Sequence, residues 1–339
     1  MELRPLGRTG VQVSSLCLGT MMFGAWGNTD HRDSIRIVHR ALDAGINFVD
    51  TADVYSNGES EEIVGKALAG RRDDVVLATK FHGSMGDDPN MRGNSRRWIV
   101  AEVEASLRRL QTDWIDLYQV HRWDPATDHD ETLGALTDLQ RAGKIRYFGS
   151  STFPAHALVD ADWVARARGL SRYATEQPPY SLLVRGIEQD VLPVCERLGI
   201  GVVPWSPLGG GWLSGKWRNG GDADSHRGSW TPGRFDLSQP ENQAKLDAAD
   251  RLGALADELG IPLPHLAIGF VLRHPAVSSP IVGPRTMEQL ESQLGAVDVV
   301  LDGATLDRID EIVPPGRNVR AEDAGWTPPW IENAALRRR

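Results

Sequence analysis

Short runs of apolar residues alternate, along almost the whole chain, with longer stretches in which apolar residues recur every three or four positions. The first kind predicts strands buried on both faces, the second amphipathic helices. Two short alternating runs flank Gly7-Arg8-Thr9-Gly10 and predict a hairpin over residues 2–15. Residues 16–20 then read as a strand ending in small residues. Residues 31–44 read as a helix, with Ile35, Val38, Ala41 and Leu42 at helical spacing and Gly45 as its stop. From there the pattern repeats. Strands are predicted at 47–50, 75–80, 115–121, 145–151, 173–177, 201–205 and 280–283. Helices are predicted between them at 60–69 (capped by Ser60), 95–110, 130–142, 155–168 and 187–198. Helices 242–259 and 265–274 follow the seventh strand, and 286–296 and 305–312 the eighth.

Eight strands alternating with helices predict an α/β fold with a parallel sheet covered on both sides. The number eight predicts closure into a (β/α)8 TIM barrel, with the N-terminal β-hairpin plugging one end and the Pro- and Trp-rich tail from Pro314 near the active-site rim. No linker divides the chain, so residues 1–339 read as one domain. The loop from Ser206 to about Gln239 is too long for a simple connection, which points to function.

In such a barrel the chemistry lies at the carboxyl ends of the strands. The second strand ends in Asp50, the third in Lys80 and the fourth in His121, and the loop after the second carries Tyr55. Singly, each has an ordinary structural use, as a turn cap, a rim tyrosine, a surface lysine or a core histidine. Jointly they form a plausible acid. A tyrosine has a free pKa of about 10, so it needs a cation beside it to work near neutrality. Lys80 is expected to lower the pKa of Tyr55, Asp50 to hold Lys80, and His121 to orient a substrate oxygen. Nothing here is a nucleophile–base pair.

Net charge is −9, which argues against a nucleic-acid or anionic-membrane partner. No apolar run is long enough to span a bilayer, and the N-terminus carries no signal-peptide pattern. Cys17 and Cys195 lie in apolar runs and read as buried thiols of a reducing compartment, so the expected location is cytoplasmic. The nine histidines show no metal-ligand spacing, and no metal is expected.

The chain resembles the aldo-keto reductase family. The resemblance is carried by Leu18-Gly19-Thr20, the run from Gly45 to Tyr55, Ala78-Thr79-Lys80, Asp113 to His121, Gly143 to Ser151, Gln177-Pro178-Pro179-Tyr180, Val203 to Leu208 and Ile281 to Thr286. It implies hydride transfer between a nicotinamide and a carbonyl or alcohol, bound NADP(H), and a site of Asp50, Tyr55, Lys80 and His121. No G-x-G-x-x-G follows a strand, so the cofactor would be held in another way. The resemblance puts Ser151 and Gln177 on the nicotinamide carboxamide and Trp205 on the ring. Thr152 stands where the family usually has Asn. Ser206, Leu208 and the amides of the Gly209 run would wrap the pyrophosphate. Arg285, Gln289 and Gln293 would take the adenine-ribose end, with Gly283 before them. Gly19, Thr20 and Met21 complete the cofactor contacts, together with Asp50. Arg285 or Lys216 would suit a 2′-phosphate, which favours NADP over NAD.

The expected substrate wall is Met22, Phe23, Trp26, Phe81, Arg122 and Trp123, with Met21 beside it and a polar corner at Tyr55 and His121. His82 and Arg122 are candidates for an anionic substrate. Trp326 and Trp330 read as rim packing, and Arg337-Arg338-Arg339 as a solvated end. The expected partner is a small carbonyl substrate, with the oligomeric state open. The competing function is an NADPH-binding, redox-sensing regulatory subunit resembling potassium-channel β-subunits. The short stretch ahead of the hairpin is expected to speak against it.

Overall fold

Eight short parallel strands pair in strict sequence order: β3 (Cys17–Gly19), β4 (Phe48–Asp50), β5 (Val76–Phe81), β6 (Ile115–Val120), β7 (Ile145–Ser151), β8 (Thr175–Gln177), β9 (Gly201–Val202) and β10 (Ile281–Val282), with β10 returning beside β3. A computed structural model of the chain describes residues 1–218 and 231–337. The seam between β9 and β10 is joined by the Ile281 N–H donating to the Pro204 carbonyl at 2.8 Å and by a bridge between Val202 and Val277. The sheet thus closes as a (β/α)8 barrel. The strands are short because tilted barrel strands need only a few residues each to enclose a filled interior. In β9 the run stops at Val202, because Pro204 has no N–H to give to a ladder.

Two apolar layers result. Inside the barrel pack Cys17, Phe48, Ala78, Leu117, Val203 and Ile281. Between sheet and helices lies the larger core, including Leu18, Val49, Leu77, Tyr118, Val120 and Phe148. The N-terminal hairpin pairs β1 (Leu3–Pro5) with β2 (Gln12–Ser14) and adds Leu6 and Val13 to the inner layer. Its turn meets the barrel floor so closely that a Cβ on Gly7 would lie 2.5 Å from the Ala174 carbonyl. This is the plug that the pattern predicts.

The helices that bear on the site are α1 (His31–Asp43), α2 (Glu59–Ala67), α3 (Arg96–Leu110), α4 (His129–Arg141), α5 (Ala155–Arg168) and α6 (Val191–Leu198). Two sequence expectations are corrected. Ser60 does not cap α2: Gly58 occupies that position at φ +93°, and the Ser60 hydroxyl lies in the core between Thr20 and Thr51. The helix expected over 187–198 is broken. A 3-10 turn, Gly186–Glu188, precedes α6, which starts after Asp190. Pro193, in the first turn of α6, lacks the N–H that an earlier start would need. Among the described residues no single helix is long and apolar enough to cross a membrane.

Candidate active site

Asp50 is the last residue of β4 and Lys80 lies near the end of β5, so strand pairing sets them side by side on the barrel's inner rim. Both are withdrawn from water, with Asp50 2% and Lys80 0% exposed. Burial at this level demands full pairing, and the pairing is found. Lys80 Nζ donates to Asp50 Oδ2 at 2.6 Å, to the Thr51 carbonyl at 2.8 Å and to the Tyr55 hydroxyl at 3.1 Å. The other oxygen, Asp50 Oδ1, accepts from Gln177 Nε2 at 2.9 Å and from Gln119 Nε2 at 3.1 Å.

Tyr55 reaches this group because its loop is tightly held. The Tyr55 N–H donates to the Ala52 carbonyl. Ser56 and Asn57 then turn at φ +49° and +56°, a left-handed conformation rare for such residues. The Ser56 hydroxyl fixes the turn by donating to the Phe23 carbonyl and accepting from the Trp26 N–H. The His121 ring stands edge-on to Tyr55, 5.9 Å between centroids, and Trp26 lies 6.1 Å away on another side.

The electrostatics revise one expectation. Burial pushes the Tyr55 pKa up, and this outweighs the pull of Lys80 in the opposite direction. The net direction is upward, where the sequence argument expects a drop. Tyr55 is therefore held as the neutral phenol, with Lys80 ready to stabilise charge once the proton leaves. Burial also works against the Lys80 ammonium, but Asp50 and Tyr55 more than compensate, and its pKa is raised. Burial, then Lys80, Arg122 and His82, hold the pKa of His121 well below the usual histidine value. Its imidazole is neutral at pH 7 and keeps one N–H to donate.

A second group adjoins the first. Ser151 ends β7, and its hydroxyl donates to the Gln177 carbonyl. Thr152 follows at φ +57°, an outlier for a β-branched residue. Its hydroxyl accepts from Trp205 Nε1 and Arg122 Nη1, each at 3.4 Å. Beneath this turn the buried Glu176 accepts from the Ser150 hydroxyl and the Phe153 N–H. Burial raises the Glu176 pKa to about 7 despite those bonds.

Further along the rim, Ser206 lies at φ +57°, and Gly209, Gly210 and Gly211 all take positive φ, at 59°, 73° and 117°. Across the seam, Gly283 is exposed, and a Cβ there would meet nothing nearer than the Gly19 carbonyl at 3.8 Å. Thr286 caps helix Met287–Leu294 by accepting from the Gln289 N–H, and Gln289 Oε1 accepts from the Arg285 N–H. Gln293 is 7% exposed, and its Oε1 has no partner. These features fit a dinucleotide laid across the rim: open glycine backbone for phosphates, a helix start beside Arg285, and a buried acceptor awaiting a donor such as an adenine amine. Leu208 and Met21 are half-buried, and Lys216 is exposed.

Several expected contacts take other places. The Thr20 hydroxyl is fully buried and engaged with the Asp50 carbonyl and Ser60, so its side chain supports the site from behind. Gly19 is required by packing, since a Cβ there would lie 2.4 Å from Ile281 Cγ2. Phe23 and Phe81 have no exposed surface and Met22 only 4%, so these three back the substrate wall instead of forming it. Trp26, Arg122 and Trp123 keep some exposure. The Trp326 ring packs 5.2 Å from that of Trp123, and Gly325 crosses Trp205 and Thr152, so the tail lies on the rim as expected. Arg338 and Arg339 lie outside the described residues, as does part of the long loop. Sequence reasoning missed Gln119 and Glu176. Gln119 carried a readable signal: a polar residue in an apolar strand, two positions before His121 and hence on the same face. Among the described residues no cluster of three His, Cys, Asp or Glu side chains is arranged to hold a metal. A cavity of about 430 Å³ beside Thr152, lined by Phe153, Pro178, Asp190 and Trp326, does not include Tyr55 or His121. The hydrogen-bonded groups, not cavity size, mark the site.

A profile of the Aldo/keto reductase family matches residues 15–314. Relatives align along most of their length. An uncharacterised oxidoreductase of Bacillus subtilis, YrpG, is 42% identical over 337 residues, covering 96% of this chain and all of that one. The aldo-keto reductase YhdN of the same organism is 38% identical over 302 residues, 86% of this chain and 87% of its own. An Arabidopsis thaliana protein named a probable voltage-gated potassium channel subunit beta is 37% identical over 332 residues, 92% and 97% of the two chains.

Proposed function

The chain belongs to the aldo/keto reductase family, and on that premise we propose that it is an NADPH-dependent reductase of aldehydes or ketones in which Tyr55 is the general acid. The observation that carries the reading is the bonded row Asp50–Lys80–Tyr55. Tyr55 is neutral and half-buried, so it holds a proton to give. As the substrate carbonyl oxygen gains negative charge, the phenol donates to it, and the ammonium of Lys80, 3.1 Å from the phenol oxygen, stabilises the phenolate left behind. Asp50 keeps Lys80 charged and aimed. The neutral imidazole of His121 donates its N–H to the same carbonyl oxygen and fixes its direction.

Bound NADPH would supply the hydride. Ser151, Gln177 and Trp205 would hold its nicotinamide, with the Gln177 carboxamide already anchored on Asp50. Ser206, Leu208 and the glycine backbone from Gly209 would take the pyrophosphate. Arg285, Gln289 and Gln293 would take the adenosine end, and Arg285 or Lys216 the 2′-phosphate. Two buried unpaired thiols, Cys17 and Cys195, support a reducing, cytoplasmic setting.

The test is consumption of NADPH by the purified protein with a panel of aromatic and aliphatic aldehydes, with NADH in parallel. Turnover with NADPH at least about tenfold more efficient than with NADH agrees with the reading. Absence of turnover on every carbonyl despite tight NADPH binding would overturn the reductase role. The likeness to the plant channel β-subunit favours a second reading, a cofactor-binding regulatory subunit. It is supported instead if the purified protein captures a partner in a manner that depends on the redox state of the bound nucleotide.

A further inference from the structure

Arg122 directly follows His121 at the rim, half-buried, and its backbone is pinned. The Asn94 side chain donates to the Arg122 carbonyl at 3.1 Å, and Asn94 is itself held by His82 and Thr132. The guanidinium uses one nitrogen on local acceptors: Nη1 donates to the His121 carbonyl at 2.6 Å and to the Thr152 hydroxyl at 3.4 Å. Its Nε and Nη2 have no hydrogen-bond partner among the described residues.

This arginine differs from three others that are withdrawn from solvent. Arg72 holds Asp116, Arg109 holds Glu61 and Glu102, and Arg185 holds Glu188 and Asp310. Arg122 forms no ion pair with a described carboxylate. Burial lowers its pKa, partly offset by Tyr55 and Glu176. Neither group is a full counter-ion. Tyr55 is a neutral phenol, and Glu176 has its oxygens on Ser150 and Phe153 and titrates at about 7. The other described groups facing this corner form no ion pair with Arg122. His82 and His121 are held neutral by burial, and the Lys80 charge is already matched by Asp50. Asp124 turns to Thr127 and the Ala126 N–H. The corner beside the reacting carbonyl therefore carries a partly desolvated positive charge in fork geometry that no described carboxylate pairs directly. Such a charge is costly unless a ligand anion completes it, and a planar guanidinium suits a carboxylate best.

We propose that Arg122 is the substrate anchor of this pocket and that the preferred substrates carry a carboxylate, held by Arg122, on the same small molecule as the carbonyl presented to Tyr55 and His121. The inference rests on the reductase reading above and narrows its substrate class to anionic carbonyls. Arg122 sets specificity through binding. His82 acts behind it, through Asn94, as a positioning residue.

The test has two arms, run on wild type, Arg122→Gln and Arg122→Lys. In the first, benzoate is titrated into the NADP+-loaded protein and its dissociation constant read from intrinsic fluorescence. In the second, kcat/KM is compared for para-carboxybenzaldehyde and its neutral counterpart para-nitrobenzaldehyde. We expect benzoate to bind wild type at least about tenfold more tightly than Arg122→Gln, with Arg122→Lys between them. We expect the carboxylate-to-nitro ratio of kcat/KM to fall by a similar factor in Arg122→Gln, through KM and not kcat. Equal benzoate affinity and an equal ratio in wild type and Arg122→Gln overturn the proposal. So does a weaker grip on NADPH in Arg122→Gln with the benzoate constant unchanged, because the arginine then serves the cofactor. If wild type turns over neither aldehyde, the reductase reading fails, and the benzoate arm still decides whether Arg122 anchors an anion.

Discussion

Asp50 divides its two oxygens between Lys80 on one side and Gln119 with Gln177 on the other, so one carboxylate orders both the acid and the expected carboxamide holder. Removing either member of the buried pair strands the other. Lys80→Met and Asp50→Asn are each expected to cost about 3–5 kcal/mol of stability, and the double variant clearly less than the sum, measured by urea unfolding. Additive losses would mean that the pair is not coupled. His121 gives a second prediction. Because its pKa lies well below the usual value of about 6.5, the imidazole stays neutral in the folded enzyme down to acidic pH. The reductive kcat should therefore show no histidine limb between pH 6 and about 7, whereas an unshifted histidine would produce one. The gathering of these residues was legible in the sequence because each closes a strand or the loop beyond it. The direction of the Tyr55 shift was not. A pairwise argument sees Lys80 nearby, but the size of the burial effect depends on everything packed around the ring.

At the scale of elements, the turn after β7 is where sequence and structure differ most. Thr152 is held in a left-handed conformation that its side chain resists, while the carboxyl below it on β8 binds the next amide. The folded Glu176 pKa, about 7, lies above the ordinary glutamate value of 4.5. A raised carboxyl pKa means that its stability contribution is complete at pH below about 4.5 and lost as pH rises to about 7. That loss can reach about 3 kcal/mol. Glu176→Gln keeps an acceptor for the Phe153 N–H and is permanently neutral. It should flatten this part of the pH–stability curve and exceed wild type above pH 7, followed by thermal melting across pH. An unchanged curve would contradict the assignment. Gly58 governs the neighbouring loop in a different way. At φ +93°, with Arg109 Cδ 2.7 Å from where a Cβ would stand, Gly58→Ala should cost about 1–3 kcal/mol and displace the turn that carries Tyr55. Neither device was readable in advance. Strand and helix positions follow from periodicity, but left-handed turns at Ser56, Asn57 and Thr152 depend on contacts far away in sequence.

In the whole molecule, the barrel's order made its architecture readable. Eight apolar runs, each followed by a helical stretch, leave few alternatives to a sheet in sequence order, and the hairpin and tail fall at its two ends. What periodicity does not reveal is the seam, where β9 and β10 are two residues each and meet through Pro204 and Val277. The segments proposed for the cofactor, from Ser206 and from Gly283, lie on opposite sides of that seam. NADPH bound across it should raise the melting temperature, by about 2.7 kcal/mol of stability at a hundredfold excess over its dissociation constant. The central claim remains the proton. The measurement that tests it most directly is Tyr55→Phe, assayed for aldehyde reduction and, in the same preparation, for NADPH affinity by fluorescence titration. The account predicts that turnover falls by about 10²–10⁴-fold or more while the NADPH dissociation constant stays within about threefold of wild type. Turnover near the wild-type rate with intact NADPH binding would contradict it, and the acid would have to be sought elsewhere on the rim.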